Sequence, residues 1–168
     1  SGVGSAAIQI AKQAGAIVIA TNGSSEKCKF SESLGADYTI NHNESNMYNI
    51  IKNITNGNGV DIVFEHIGKN TWQNSIKLLN KGGRIVTCGS TTGGNVSINL
   101  PHLFIKQQSI LGSTMSDIPT FNDVITQISL KKYNPIVDRV YHIDEIHDAY
   151  EYFDKRKHMG KVIISNDA

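Results

Sequence analysis

Cysteine is nearly absent. Two residues, Cys28 and Cys88, in a chain of 168 give no disulfide framework and no metal-binding spacing. Two free thiols in a reducing cytoplasm are therefore expected. An excess of one charge is also lacking: 16 Lys and Arg against 15 Asp and Glu leave a formal net charge of +1. No basic field draws in nucleic acid, and the aromatics, at 7%, are not interleaved with basic residues. The apolar runs are of strand length, so no transmembrane helix is expected. The amino terminus lacks Met, a basic start and a signal-type apolar stretch, and reads as an internal boundary. Internal repeats and low-complexity tracts are missing.

Several chemistries are absent as well. The histidines His42, His66, His102, His142, His147 and His158 are scattered, and none forms a His-Glu-x-x-His pair or joins a cysteine. No metal ligand is assigned. There is no serine nucleophile elbow. Tyr48 and Lys52 stand one helical turn apart, but on a flanking helix ahead of the Val60–Glu65 run, where a solvated pair is the expectation.

What is present is a globular composition, 39% hydrophobic and 18% charged, in one domain-sized unit, 1–168. Glycines open it: Ser1-Gly2-Val3-Gly4-Ser5 runs into the helical stretch Ala6–Lys12. Such a bend lets backbone approach a ligand, and the free N–H groups at the helix start can hold a phosphate. A strand belongs before such a turn and is expected upstream of Ser1.

Helical and strand patterns then alternate. Ala16–Ala20 reads as a buried strand. Ser24 or Ser25 caps a helix that stops at Gly35, and Tyr38–Ile40 is a short strand. A helix over about 45–55 leads to the strand Val60–Glu65. Thr71 caps a helix ending near Leu79, and Lys81-Gly82-Gly83 turns into the strand Arg84–Cys88. Residues 89–107 are looser. A strand near Ser109–Gly112, a helix near 119–131, a strand at Val140, a helix from Asp144 and the strand Val162–Ile164 follow. This predicts an α/β fold, a doubly wound parallel sheet of Rossmann type that lacks its first strand at the amino terminus. Ligands of such sheets lie beyond the carboxyl ends of the strands.

The end of the Ala16–Ala20 strand bears on cofactor type. An acid about 20 residues past the glycine turn bonds the ribose hydroxyl of NAD. Here Asn22, uncharged, is best placed, and Ser24, Ser25 and Lys27 can donate to a 2′-phosphate. NADP is therefore preferred, with NAD the alternative. His42, just after the next strand, is a further candidate for the adenosine end.

These residues resemble the medium-chain dehydrogenase/reductase superfamily, which includes zinc-type alcohol dehydrogenases and quinone oxidoreductases. The resemblance is carried by Ser1–Lys12, Ser24–Lys27, Leu34–Asp37, Gly59–Asp61, His66-Ile67-Gly68, Lys81–Val86, Ile110–Ser113 and Gly160-Lys161-Val162. It implies that Gly2, Val3 and Gly4 hold the pyrophosphate, and that Ser24 and Lys27 hold a 2′-phosphate, with His42 where quinone reductases often place a tyrosine. It implies that His66, Ile67 and Gly68 line the adenosine ribose, while Gly89, Ser90, Thr91, Leu111, Gly112 and Ser113 flank the nicotinamide. In that superfamily a separate amino-terminal domain supplies the substrate pocket and any catalytic zinc, and the strand matching Ile110-Leu111-Gly112 pairs across a dimer axis. The expected function is thus the cofactor-binding portion of an oxidoreductase that moves hydride to or from an alcohol, carbonyl or quinone/enone. The chain alone is expected not to turn over. The alternative is a non-enzymatic nucleotide-binding or interaction module.

Overall fold

The computed structural model describes residues 1–167. Helix and strand alternate along them: α1 (Gly2–Gln13), β1 (Ile19–Asn22), α2 (Ser25–Ser33), β2 (Tyr38–Asn41), α3 (Met47–Ile54), β3 (Val60–Glu65), α4 (Trp72–Leu78), β4 (Leu79–Thr87), α5 (Leu100–Ile105), β5 (Ser109–Gly112), α6 (Ile118–Ser129), β6 (Val137–His142), α7 (Ile146–Asp154) and β7 (Lys161–Ser165). The chain forms two compact units, one of Ser1–Asn43 with the residues from Asp117 onward, the other of Glu44–Ser116. Every strand pairing is parallel, in three ladders: β1-β2, β3-β4-β5 and β6-β7. Parallel strands joined through helices make this an α/β, Rossmann-like fold. Among the described residues no helix is long and apolar enough to cross a membrane.

In the first unit, Ser1 caps α1 and Ser24 caps α2; each hydroxyl accepts a backbone N–H, from Gly4 and Lys27 respectively. β1 begins three residues later than the apolar run at Ala16 suggests. The cause lies at Val18, whose N–H donates to a carboxylate oxygen of Asp37 at 2.7 Å and whose carbonyl accepts from Asp37 and Tyr38. Those bonds occupy the backbone before the ladder starts, and Ile17 is left exposed. In the ladder, Ile19 faces Tyr38 and Asn22 faces Asn41. The carboxy-terminal helix is entered through a short 3-10 turn, Ile143–Glu145.

The second unit holds the better-formed core. Trp72 and Ile76 of α4 pack with Leu79 and Ile85 of β4, and Val60, Val63, Val96 and Ile110 pad this cluster. Leu79 and Ile85 are 0% exposed, and such burial stabilises by about 1.5–3 kcal/mol per side chain. Three local readings differ from the sequence expectation. β4 starts at Leu79, and the expected turn Lys81-Gly82-Gly83 is an irregularity inside it: Val60 faces Leu79, then Ile62 faces Arg84. The looser stretch contains α5, begun by Asn99, whose side chain accepts from the His102 N–H at 3.0 Å. Thr71 precedes α4 but makes no cap bond; its hydroxyl is drawn instead to the charged carboxylate of Glu65.

Candidate functional site

In the first unit the candidate residues gather at the start of α1 and at the ends of β1 and β2. The first N–H groups of a helix have no intrahelical acceptor. The Gly4 N–H is taken by the Ser1 hydroxyl at 3.0 Å, and the Ser5 N–H by the Ser1 carbonyl. The amides of Gly2 and Val3 are the ones left for an anion, which shifts the weight away from Gly4. The stem of Lys161 passes over Gly2: a Cβ there would lie 2.8 Å from Lys161 Cε. Sequence reasoning used Lys161 only as part of a closing motif. It brings an ammonium to the glycine bend, which favours an anion there.

At the end of β1, the Asn22 side-chain oxygen accepts from the Ser31 hydroxyl at 3.1 Å. Its Nδ2 is buried without a hydrogen-bond partner, a donor with an open valence. The His42 ring lies against Gly23, since a Cβ on Gly23 would meet His42 Cε1 and Nε2 at 3.7 Å. Asn22, Gly23, Ser24 and His42 therefore lie together. Lys27 does not join them in this state. Its ammonium donates to the carbonyl of Arg156, just past the carboxyl end of α7, where unpaired carbonyls attract cations.

In the second unit three strand ends stand in register: Glu65 faces Thr87, and Thr87 faces Gly112. Beyond them lies an open depression of about 450 Å³, lined by Thr87, Cys88, Gly89, Ser90, Gly94, Gly112, Ser113 and Thr114. Gly89, Ser90, Gly112 and Ser113 thus come together as expected, whereas Thr91 and Leu111 are not among the lining residues. Thr91 turns its hydroxyl to the His66 carbonyl at 3.2 Å. Leu111 remains exposed on β5.

His66, Ile67 and Gly68 form a loop held from beneath by Glu65, a residue the sequence presents only as the last position of a strand. Glu65 is 3% exposed. One carboxylate oxygen accepts from the N–H groups of Ile67 (2.8 Å) and Gly68 (3.1 Å) and from the Thr71 hydroxyl (2.9 Å). The other accepts from the hydroxyls of Ser75 (2.5 Å) and Thr71 (3.0 Å). Burial alone pushes this carboxyl up, but the bonds from Ser75, Ile67, Gly68 and Thr71 outweigh it and hold the group below its ordinary range. Gly68, at φ +93°, packs so closely on the Gly93 carbonyl that a Cβ would approach it to 2.5 Å.

In the first unit, the helix-start amides left at Gly2 and Val3 and the unpartnered buried donor on Asn22 fit the chemistry of a dinucleotide's phosphates and ribose; in the second unit, taken by itself, the open, glycine-lined floor fits a flat ring. Zinc fits neither unit, because among the described residues no three His, Cys, Asp or Glu side chains converge.

Comparison with known proteins identifies the family. Residues 2–129 match the family described as zinc-binding dehydrogenase. A zinc-type alcohol dehydrogenase-like protein of Schizosaccharomyces pombe is 33% identical over 99% of this chain and 49% of its own length. A solved NAD-dependent alcohol dehydrogenase superposes with a TM-score of 0.90 at 35% identity, covering 98% of this chain and 48% of that one. A crotonyl-CoA carboxylase/reductase, AntE, solved in complex with NADP, gives a TM-score of 0.85 at 25% identity over 98% and 47%. The chain spans about half the length of the curated relatives it matches.

Proposed function

Because the chain belongs to the zinc-binding dehydrogenase family of the medium-chain dehydrogenase/reductase superfamily, we propose that residues 1–168 act as one dinucleotide-binding domain, the cofactor-binding portion of an NAD(P)H-dependent oxidoreductase. The observation that carries this reading is the glycine bend at the start of α1, with amides of Gly2 and Val3 left for an anion. In this reading they hold the pyrophosphate, with Gly4 shaping the bend and Lys161 adding positive charge. Asn22, Ser24 and His42 take the adenosine end, and Lys27 joins them by leaving the Arg156 carbonyl for a 2′-phosphate. His66, Ile67 and Gly68 flank the adenosine ribose. Gly89, Ser90, Thr91, Leu111, Gly112 and Ser113 bound the nicotinamide.

A bound nicotinamide supplies hydride chemistry at its C4, toward an alcohol, carbonyl or quinone/enone carbon. The chain's own residues contribute position and electrostatics. No step is assigned to zinc. NADP is the proposed cofactor, supported by the uncharged Asn22 and by a relative solved with NADP; NAD, named for another relative, is the competitor. Buried Cys28 and exposed Cys88, both free, support a cytoplasmic setting. We further propose a homodimer through β5, whose far edge pairs with no other strand among the described residues; sedimentation of a monomer at micromolar concentration would refute it.

Calorimetric titration of the chain with NADPH and NADH tests the cofactor reading. Tighter NADPH binding is expected. Tighter NADH binding overturns the NADP assignment, and binding of neither overturns the dinucleotide reading.

A further inference from the structure

Glu65 spends a buried charge on two peptide groups. The N–H of Ile67 and the carbonyl of His66 belong to one peptide unit; the N–H of Gly68 and the carbonyl of Ile67 belong to the next. Both N–H groups point at the Glu65 carboxylate. Planarity of the peptide then aims both carbonyls the opposite way. There they are received: the His66 carbonyl accepts from the Thr91 hydroxyl at 3.2 Å, and the Ile67 carbonyl accepts from both the N–H and the hydroxyl of Thr92 at 2.8 Å. Next to these bonds the Lys69 N–H donates to the Gly93 carbonyl at 3.0 Å. The segment so fastened contains Cys88, Gly89 and Ser90, which line the depression.

We propose that Glu65 is a positioning residue for the dinucleotide: its carboxylate orients the 66–67 and 67–68 peptides and, through them, fixes the 88–92 segment against which the nicotinamide half is held. The inference rests on the cofactor reading above. An ionised carboxylate suits the task because it accepts everywhere, whereas a primary amide would turn donors toward donors. Charge-assisted bonds are also the stronger kind. The lowered pKa of the group keeps it ionised through the neutral range.

The test compares NADPH with inorganic pyrophosphate, which engages the glycine bend and carries neither ribose nor nicotinamide, on the wild-type chain and on Glu65→Gln, Glu65→Asp and Thr71→Val. Glu65→Gln is expected to weaken NADPH binding by about 10-fold, the loss of one charge-assisted interaction, and pyrophosphate binding by less than about 3-fold. Glu65→Asp, which keeps the charge, should recover part of the NADPH affinity. Thr71→Val removes one donor and leaves the carboxylate in place; a smaller, NADPH-only loss is expected, and it decides the matter should Glu65→Gln not fold. Equal losses for both ligands would mean a general structural role and overturn the inference, as would unchanged NADPH binding. A wild-type chain that binds neither ligand overturns the cofactor reading and this inference with it.

Discussion

The ammonium of Lys12 lies 2.8 Å from each carboxylate oxygen of Asp37, and Asp37 accepts a third bond from the Val18 N–H at 2.7 Å. The pair ties the end of α1 to the turn before β2, on either side of the segment that leads into β1. Lys12, then Val18, hold the Asp37 carboxyl below its ordinary range. A depressed carboxyl stabilises the fold above its unfolded pKa and loses that contribution as pH falls through the folded value. Wild type should therefore melt above Asp37→Asn at neutral pH. The gap should close below the ordinary aspartate value of 3.8. Both side chains are about one-third exposed, so salt should narrow the gap as well. Thermal melts across pH and ionic strength read both effects, and a gap independent of pH would contradict the assignment.

Asn22→Asp should reverse cofactor preference. It places a negative charge where the 2′-phosphate of NADP is assigned and offers an acceptor pair to the ribose hydroxyls of NAD. NADPH affinity should drop by about 10-fold or more, corresponding to about 1.4 kcal/mol, while NADH affinity holds or rises. Calorimetry with both cofactors decides. An undiminished NADPH affinity would place the 2′-phosphate elsewhere.

Gly68→Ala should be costly for two separable reasons. The conformation at φ +93° disfavours a Cβ, and the Gly93 carbonyl occupies the space. Gly15, at φ +78° with nothing within 4 Å of its notional Cβ, carries only the first penalty, about 1–2 kcal/mol. Urea melts should show Gly68→Ala destabilised by more than Gly15→Ala. Dinucleotide affinity should fall only in the former.

Ile85→Ala opens a hole beside Trp72, Ile76 and Leu79. A loss of about 2–5 kcal/mol is expected in urea unfolding, against about 0.5–1.5 kcal/mol for Ile85→Val. A loss below 1 kcal/mol for the alanine variant would mean that this cluster is not the core of its unit.

The elements most legible in the sequence were those whose signals are local. The strand Val60–Glu65 is bounded as its apolar run suggests, and Ser24 caps α2 because a serine before a helical stretch needs no distant partner. The start of β1 was not legible, because the atoms that hold Val18 out of the ladder belong to Asp37, 19 residues away. Thr71 was legible as a helix-start residue but not as a donor to Glu65, since that contact needs β3 and α4 to be packed first. Within the candidate site, glycines and strand ends announced their places. The roles of Glu65 and Lys161 did not, because an acid at the end of a strand and a lysine after a glycine carry no spacing that points to their targets.

Cys88 occupies the rim of the glycine-lined hollow, while the second thiol, Cys28, is interior. A maleimide dye should therefore mark one site without any engineered residue. Its emission would report whether that hollow is filled, and attachment itself would serve as a footprint, slowed by any small molecule that shields the rim.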